Sequence, residues 1–154
     1  MVDKLEHFNI YIKSSLHGPA KRSAAGMWLI EHEKEPGVIE TKDGILYREM
    51  IKENELVLQC LINAFFVLNR TGVKTASVGV FTECEHVLNT MKNHWLPMWK
   101  KNSWRNAKGK MVSNMLLWSR LDELMWYYTV SFSGEAHSYS DYMARKVSKR
   151  LAEQ

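Results

Sequence analysis

Apolar and polar side chains alternate from His7 to Ser14, with Phe8, Ile10 and Ile12 on one side and Asn9, Tyr11 and Lys13 on the other. That period predicts a strand. Ser14 to Ser23 holds Gly18-Pro19 and reads as a turn. Ala25 to His32 predicts a second strand, broken by Pro36-Gly37, and Asp43-Gly44 predicts another turn before a third strand over Ile45 to Ile51. The three strands are expected to form an antiparallel meander.

The period then lengthens. Leu56, Val57, Cys60, Leu61, Ala64, Phe65 and Leu68 recur at helical spacing and predict a helix from Glu53 to Asn69, capped by Gly72. Ala76 to Phe81 is a short apolar run suited to a strand buried on both faces. Thr82 and Glu85 have capping-box spacing and predict a helix from Thr82 to about Trp95. A helix over Ser113 to Trp126 would bury Leu116, Leu117, Leu121, Leu124 and Met125, with Trp118 in the core. Tyr128 to Ser133 alternates as a fifth strand. A last helix over Ser138 to Ala152, opened by a Ser138–Asp141 capping box, would turn Tyr142, Met143 and Val147 inward. The order predicts one α/β domain over residues 1–154, a mixed five-stranded sheet of three antiparallel and two parallel strands with helices on both faces.

Charge changes the picture at one place. No acidic residue lies between Glu85 and Asp122, where seven basic ones occur: Lys92, Lys100, Lys101, Arg105, Lys108, Lys110 and Arg120. The whole chain carries +4, but outside those seven, 14 basic residues face 17 acidic ones. Four of the six tryptophans, Trp95, Trp99, Trp104 and Trp118, are threaded through the same stretch. Cations interleaved with aromatic rings suit a polyphosphate ligand with stackable bases. A solvated basic loop over core tryptophans is the alternative. No apolar run is long enough to span a membrane, and the N-terminus lacks the apolar centre of a signal peptide. Cys60 and Cys84, with no CxxC, predict reduced thiols in the cytoplasm and argue against zinc.

Three acidic residues sit at element ends that such a sheet would gather: Glu55 and Asp141 in the first turns of helices, and Glu83 where a strand passes into one. Each also suits a helix dipole. Together they suggest a magnesium or manganese site of hard oxygen ligands.

The strand IYIKSS, the helix start ENELVLQCL, the turn VFTECEHVLN, the segment HWLPMWKKNSWRNAKGKMVSN followed by LWSRLDEL, and the helix SDYMARKVSKRLA resemble the bacterial type I ribonuclease H family. The likeness runs from about Phe8 to Ala152 and makes residues 92–112 the counterpart of that family's basic handle. It implies cleavage of the RNA strand of an RNA–DNA hybrid by two divalent ions on an Asp-Glu-Asp-Asp set. Glu55 matches the glutamate, Asp141 the last aspartate in its D-x-x-A-R context, and Glu83 stands for the second aspartate with one methylene more.

The resemblance also implies a loss. Lys13 stands where the family has its first aspartate, a swing of two charges beside the metals. At about 4 Å and an effective dielectric of about 20, each unit interaction is worth about 4 kcal/mol. The loop Gly-His pair is Gly134-Glu135, with His137 two residues on as a substitute of different reach. Glu85 replaces a glutamine, and Ile51-Lys52 an asparagine pair. Three readings follow: a nucleic-acid-binding pseudoenzyme with no metal cofactor; an active nuclease with magnesium or manganese on Glu55, Glu83 and Asp141; and a protein-interaction module anchored by the tryptophans.

Overall fold

In a computed structural model, which describes residues 6–17 and 23–153, the three alternating stretches form β1 (Glu6–His17), β2 (Ser23–Glu35) and β3 (Val38–Glu49). They pair antiparallel, and β2 and β3 turn over Pro36-Gly37. The expected turn at Gly18-Pro19 lies outside the described residues; His17 pairs with Ser23 on either side of it. Helix α1 (Glu53–Arg70) leads to β4 (Ala76–Phe81), then α2 (Glu85–Lys92), α3 (Trp95–Lys101), α4 (Met115–Met125), β5 (Tyr128–Ser133) and α5 (Ser140–Ala152). The sheet order is β3-β2-β1-β4-β5, with β1–β4 and β4–β5 parallel. This is the mixed α/β sheet that the periodicities predict.

The sheet's two faces carry separate cores. Phe8, Ile10 and Ile12 meet α1 and α4 in the main cluster, around Phe65, Leu68, Trp118 and Leu121. On the other face Tyr11, Ala25, Met27 and Leu29 meet Met143 and Val147 of α5. Gly26 lets α1 lie close, since a Cβ there would come within 2.6 Å of Cys60 Sγ.

Several local expectations are corrected. Asp43-Gly44 is not a turn: both residues lie within β3, opposite Leu29 and Trp28. Gly44 is small because the Trp28 indole occupies the space where its Cβ would be, 2.7 Å from ring atoms. Helix α2 starts at Glu85 and not at Thr82, whose Oγ1 accepts a bond from the Cys84 N–H at 3.2 Å. Neither expected capping box forms: α2 follows Cys84 and α5 follows Tyr139, both without a side-chain cap. Leu116 is 78% exposed and Tyr142 37%, so α4 buries Trp118 as expected but leaves Leu116 outside, and α5 buries only Met143 and Val147. The basic segment is not all loop. His94, in the left-handed region at φ 56°, breaks α2 from α3. Pro97 sits in the first turn of α3, where its missing N–H has no intrahelical partner to lose.

Gly44→Ala is expected to displace the Trp28 indole and lose about 1–3 kcal/mol in urea unfolding. Asp43→Ala, on the exposed side of the same strand, should be neutral within about 0.5 kcal/mol. Equal losses would return the pair to a turn.

Candidate carboxylate cleft and basic handle

The parallel pairing of β1, β4 and β5 brings three strand ends to one edge of the sheet. Backbone pairing between β1 and β4 stops at Tyr11 and Phe81. Two residues past that pair, with Glu83 just beyond the end of β4, Lys13 Nζ donates to Glu83 Oε1 at 3.1 Å. The lysine side chain is 22% exposed and the glutamate 74%. Both line a cleft of about 270 Å³ that also takes in Ser14, Ser15, Glu53 and Thr82.

Of the three predicted carboxylates, the cleft therefore contains Glu83. Glu55 is half-buried in the first turn of α1, and Asp141 is exposed in the first turn of α5. Glu53, which sequence reasoning passed over, is the α1 carboxylate that lines the cleft. Its signal was the pair of acids in the first turn of α1, which periodicity alone could not rank. Among the described residues, no three His, Cys, Asp or Glu side chains are grouped to hold a metal. Magnesium and manganese need several oxygens converging on one point. Here an ammonium already holds one of the two cleft carboxylates, so this donor set does not fit the family's metal pair.

His137 approaches from the loop between β5 and α5. Its ring lies 4.3 Å from that of Tyr11, tilted by 33°, and 6.0 Å from Phe81. Its Nδ1 is buried without a hydrogen-bond partner among the described residues. Burial, then the Lys13 ammonium, hold the imidazole below its ordinary pKa, outweighing Glu83 and Glu31. A neutral ring packed on aromatics results.

A further cluster has no counterpart in any sequence motif. Glu31 of β2 accepts from Asn9 Nδ2 at 3.1 Å, Tyr11 OH at 3.0 Å and Tyr139 OH at 2.7 Å. Burial alone would raise this carboxyl, but the bonds from Tyr139, Asn9 and Tyr11, with the charge of His7, hold it below its ordinary value. The same bond to Glu31, with burial, pushes Tyr139 up to about 12. Asn9 Oδ1 continues the chain to His7 Nε2 at 2.9 Å, and His7 Nδ1 to Ser77 Oγ at 2.6 Å.

In the handle, the tryptophans and cations divide their work. Trp99 and Trp104 are half-buried against the main core. Trp99 lies 6.2 Å from Trp95 and meets Trp118 edge-on at 5.9 Å. The indoles thus fasten α3 to the body. Ser103 and Trp104 both take positive φ, turning the chain back so that Val112 N–H bonds to Trp104 O at 2.9 Å. Asn106 Oδ1 accepts from the N–H groups of Lys108 and Lys110 at the tip. Lys92, Lys101, Arg105, Lys108 and Lys110 are exposed. Lys100 is committed to Asp122 of α4 at 2.7 Å, and Arg105 Nη1 to Gly109 O at 3.0 Å. The most exposed aromatics are ones the sequence pattern does not single out, Trp126 at 75% and Tyr127 at 52%, where the apolar stripe of α4 ends.

Both cysteines are free and buried. Burial pushes Cys60 up to about 12. Cys84, whose thiol lies 3.3 Å from Asn54 Oδ1, is also raised, first by burial.

The ribonuclease H family model matches residues 6–144. Ribonuclease H of Clostridium botulinum is 31% identical over 93 residues, a match covering 60% of this chain and 60% of that protein. Among solved structures, LC9-RNase H1, a type 1 enzyme with the type 2 active-site motif, superposes over all of this chain and 76% of its own, with TM-score 0.82 at 17% identity. LC11-RNase H1, solved in complex with an RNA/DNA hybrid, aligns with 95% of this chain and 97% of its own, with TM-score 0.65 at 13% identity. The structural likenesses establish the fold, and the family match over residues 6–144 places this chain in the ribonuclease H family.

Proposed function

We propose that this chain binds nucleic acid, an RNA–DNA hybrid or a related duplex, through the exposed cations of its handle, and that two-metal cleavage is lost or impaired. The observation that carries the second half is the Lys13–Glu83 pair, an ammonium seated on a cleft carboxylate. The first half is supported by the acid-free stretch from His86 to Leu121 and by the hybrid bound to LC11-RNase H1. Lys92, Lys101, Arg105, Lys108 and Lys110 supply the phosphate contacts, while Trp95, Trp99 and Trp104 hold the platform that carries them. Lys100 contributes less because Asp122 competes for it.

Two other readings keep an observation each. Glu83 is 74% exposed, so a nuclease in which it leaves Lys13 is the second. The exposed Trp126-Tyr127 pair suits a protein partner. No described helix is long and apolar enough to cross a membrane. The two free, buried thiols suit a reducing compartment, and we assign the chain to the cytoplasm on that ground.

A labelled hybrid titrated with protein in magnesium and in manganese is expected to shift without being cut. Cleavage in either metal selects the nuclease reading. Lys101→Ala with Lys108→Ala should lower the slope of log affinity against log salt by about 0.9 for each phosphate no longer neutralised on a B-form duplex. Lys100→Ala should lower it less. An unchanged slope in the double variant would place the binding surface elsewhere.

A further inference from the structure

Beyond Tyr11 and Phe81 no backbone ladder joins β1 to β4. One side-chain link bridges the two strands past that point, and a second fastens the last helix to the sheet. One is Lys13 on Glu83, which carries the β1–β4 connection two residues past its last backbone pair. The other is Tyr139 on Glu31, which ties the start of α5 to β2 across 108 residues of sequence. Asp141, the residue through which the family resemblance would fasten this helix to metal ions, is exposed.

We propose that these two links do the work of the resident metal ions: Lys13 is a tethered cation in the carboxylate cleft, and Tyr139–Glu31 anchors the last helix, so that the fold neither requires nor answers to a divalent metal. The inference rests on the reading of cleavage as lost, but not on nucleic-acid binding.

The charge argument is direct. Without Lys13, Glu83 and Glu53 line one cleft with no cation among its lining residues. Like carboxylates at short range repel unless a positive charge stands between them or one takes a proton. The ammonium supplies that charge permanently. A metal supplies it only when bound, and its stabilisation then rises with the logarithm of the free metal concentration above its dissociation constant. An ammonium fixed by its own side chain has no such concentration dependence. At the second link, Glu31 faces His7 and Tyr11 from β1 and Tyr139 and His137 from the loop before α5. Three neutral donors satisfy it, so it needs no cation either.

The test is thermal melting of the full chain, without nucleic acid, in chelator and in millimolar magnesium or manganese. The wild type is expected to melt at the same temperature in all three. Lys13→Asp should melt lower in chelator and regain stability when either metal is added. Tyr139→Phe should melt lower by the same amount with and without metal. Its acid limb should also flatten. Glu31 has a lowered folded pKa, so its contribution is complete above the ordinary value near 4.5 and is lost as pH falls through the folded value. Removing one donor shrinks that loss. If Lys13→Asp does not fold, Lys13→Met replaces it: it should melt lower in the wild-type background and cause little further loss in Glu83→Gln. Stabilisation of the wild type by metal would overturn the inference, as would a Lys13→Asp protein that melts like wild type or ignores metal. Hybrid cleavage by the wild type sinks the proposed function, whereas metal stabilisation without cleavage sinks this inference alone.

Discussion

An ammonium 3.1 Å from a carboxylate oxygen, just past the last backbone pair of β1 and β4, decides what this sheet edge can do. The parallel strands deliver their ends to one place whatever side chains they carry. With an aspartate at position 13, that place would gather negative charge and call for cations. With a lysine, the nearest carboxylate is already neutralised. His137 feels the same charge: burial first, and then the Lys13 ammonium, keep the imidazole neutral beside Tyr11. The residue at position 13 thus sets the cation demand of the cleft and adds to the burial that keeps its neighbour neutral.

The handle follows a different logic. Its basic side chains can be free only because its aromatic ones are not. Trp95, Trp99 and Trp118 form a run of ring contacts from α3 into the core, and the two consecutive left-handed residues before Arg105 fold the tip back. A segment with so many like charges would otherwise spread apart. The fixed geometry leaves Lys101, Lys108 and Lys110 on the surface and commits Lys100 to Asp122.

Much of this was legible in the sequence, and the exceptions have physical reasons. The spans of β4 and β5 match their apolar and alternating runs residue for residue: β4 is buried nearly throughout, and β5 alternates along its length. The mixed character of the sheet followed from three hairpin strands and two crossovers, whereas the strand order came from the structure. Lys13 was visible as a charge in the wrong place for a family to which the chain has now been matched. What failed was local turn chemistry overruled at a distance: Asp43-Gly44 reads as a turn until Trp28 is laid across it. Glu53 and Glu55 differ by two positions on one turn, and only the packing of α1 decides which lines the cleft. The Tyr139–Glu31 bond joins residues that no local pattern relates.

The most direct measurement is the electron paramagnetic resonance of free manganese as protein is added. Hexa-aquo manganese loses its sharp signal when carboxylates capture it. If Lys13 holds the place of the metal, the wild-type chain leaves the signal at full strength and Lys13→Asp depletes it stoichiometrically. Stoichiometric depletion by the wild type would show a working metal site beside the lysine, and would contradict the account at its centre.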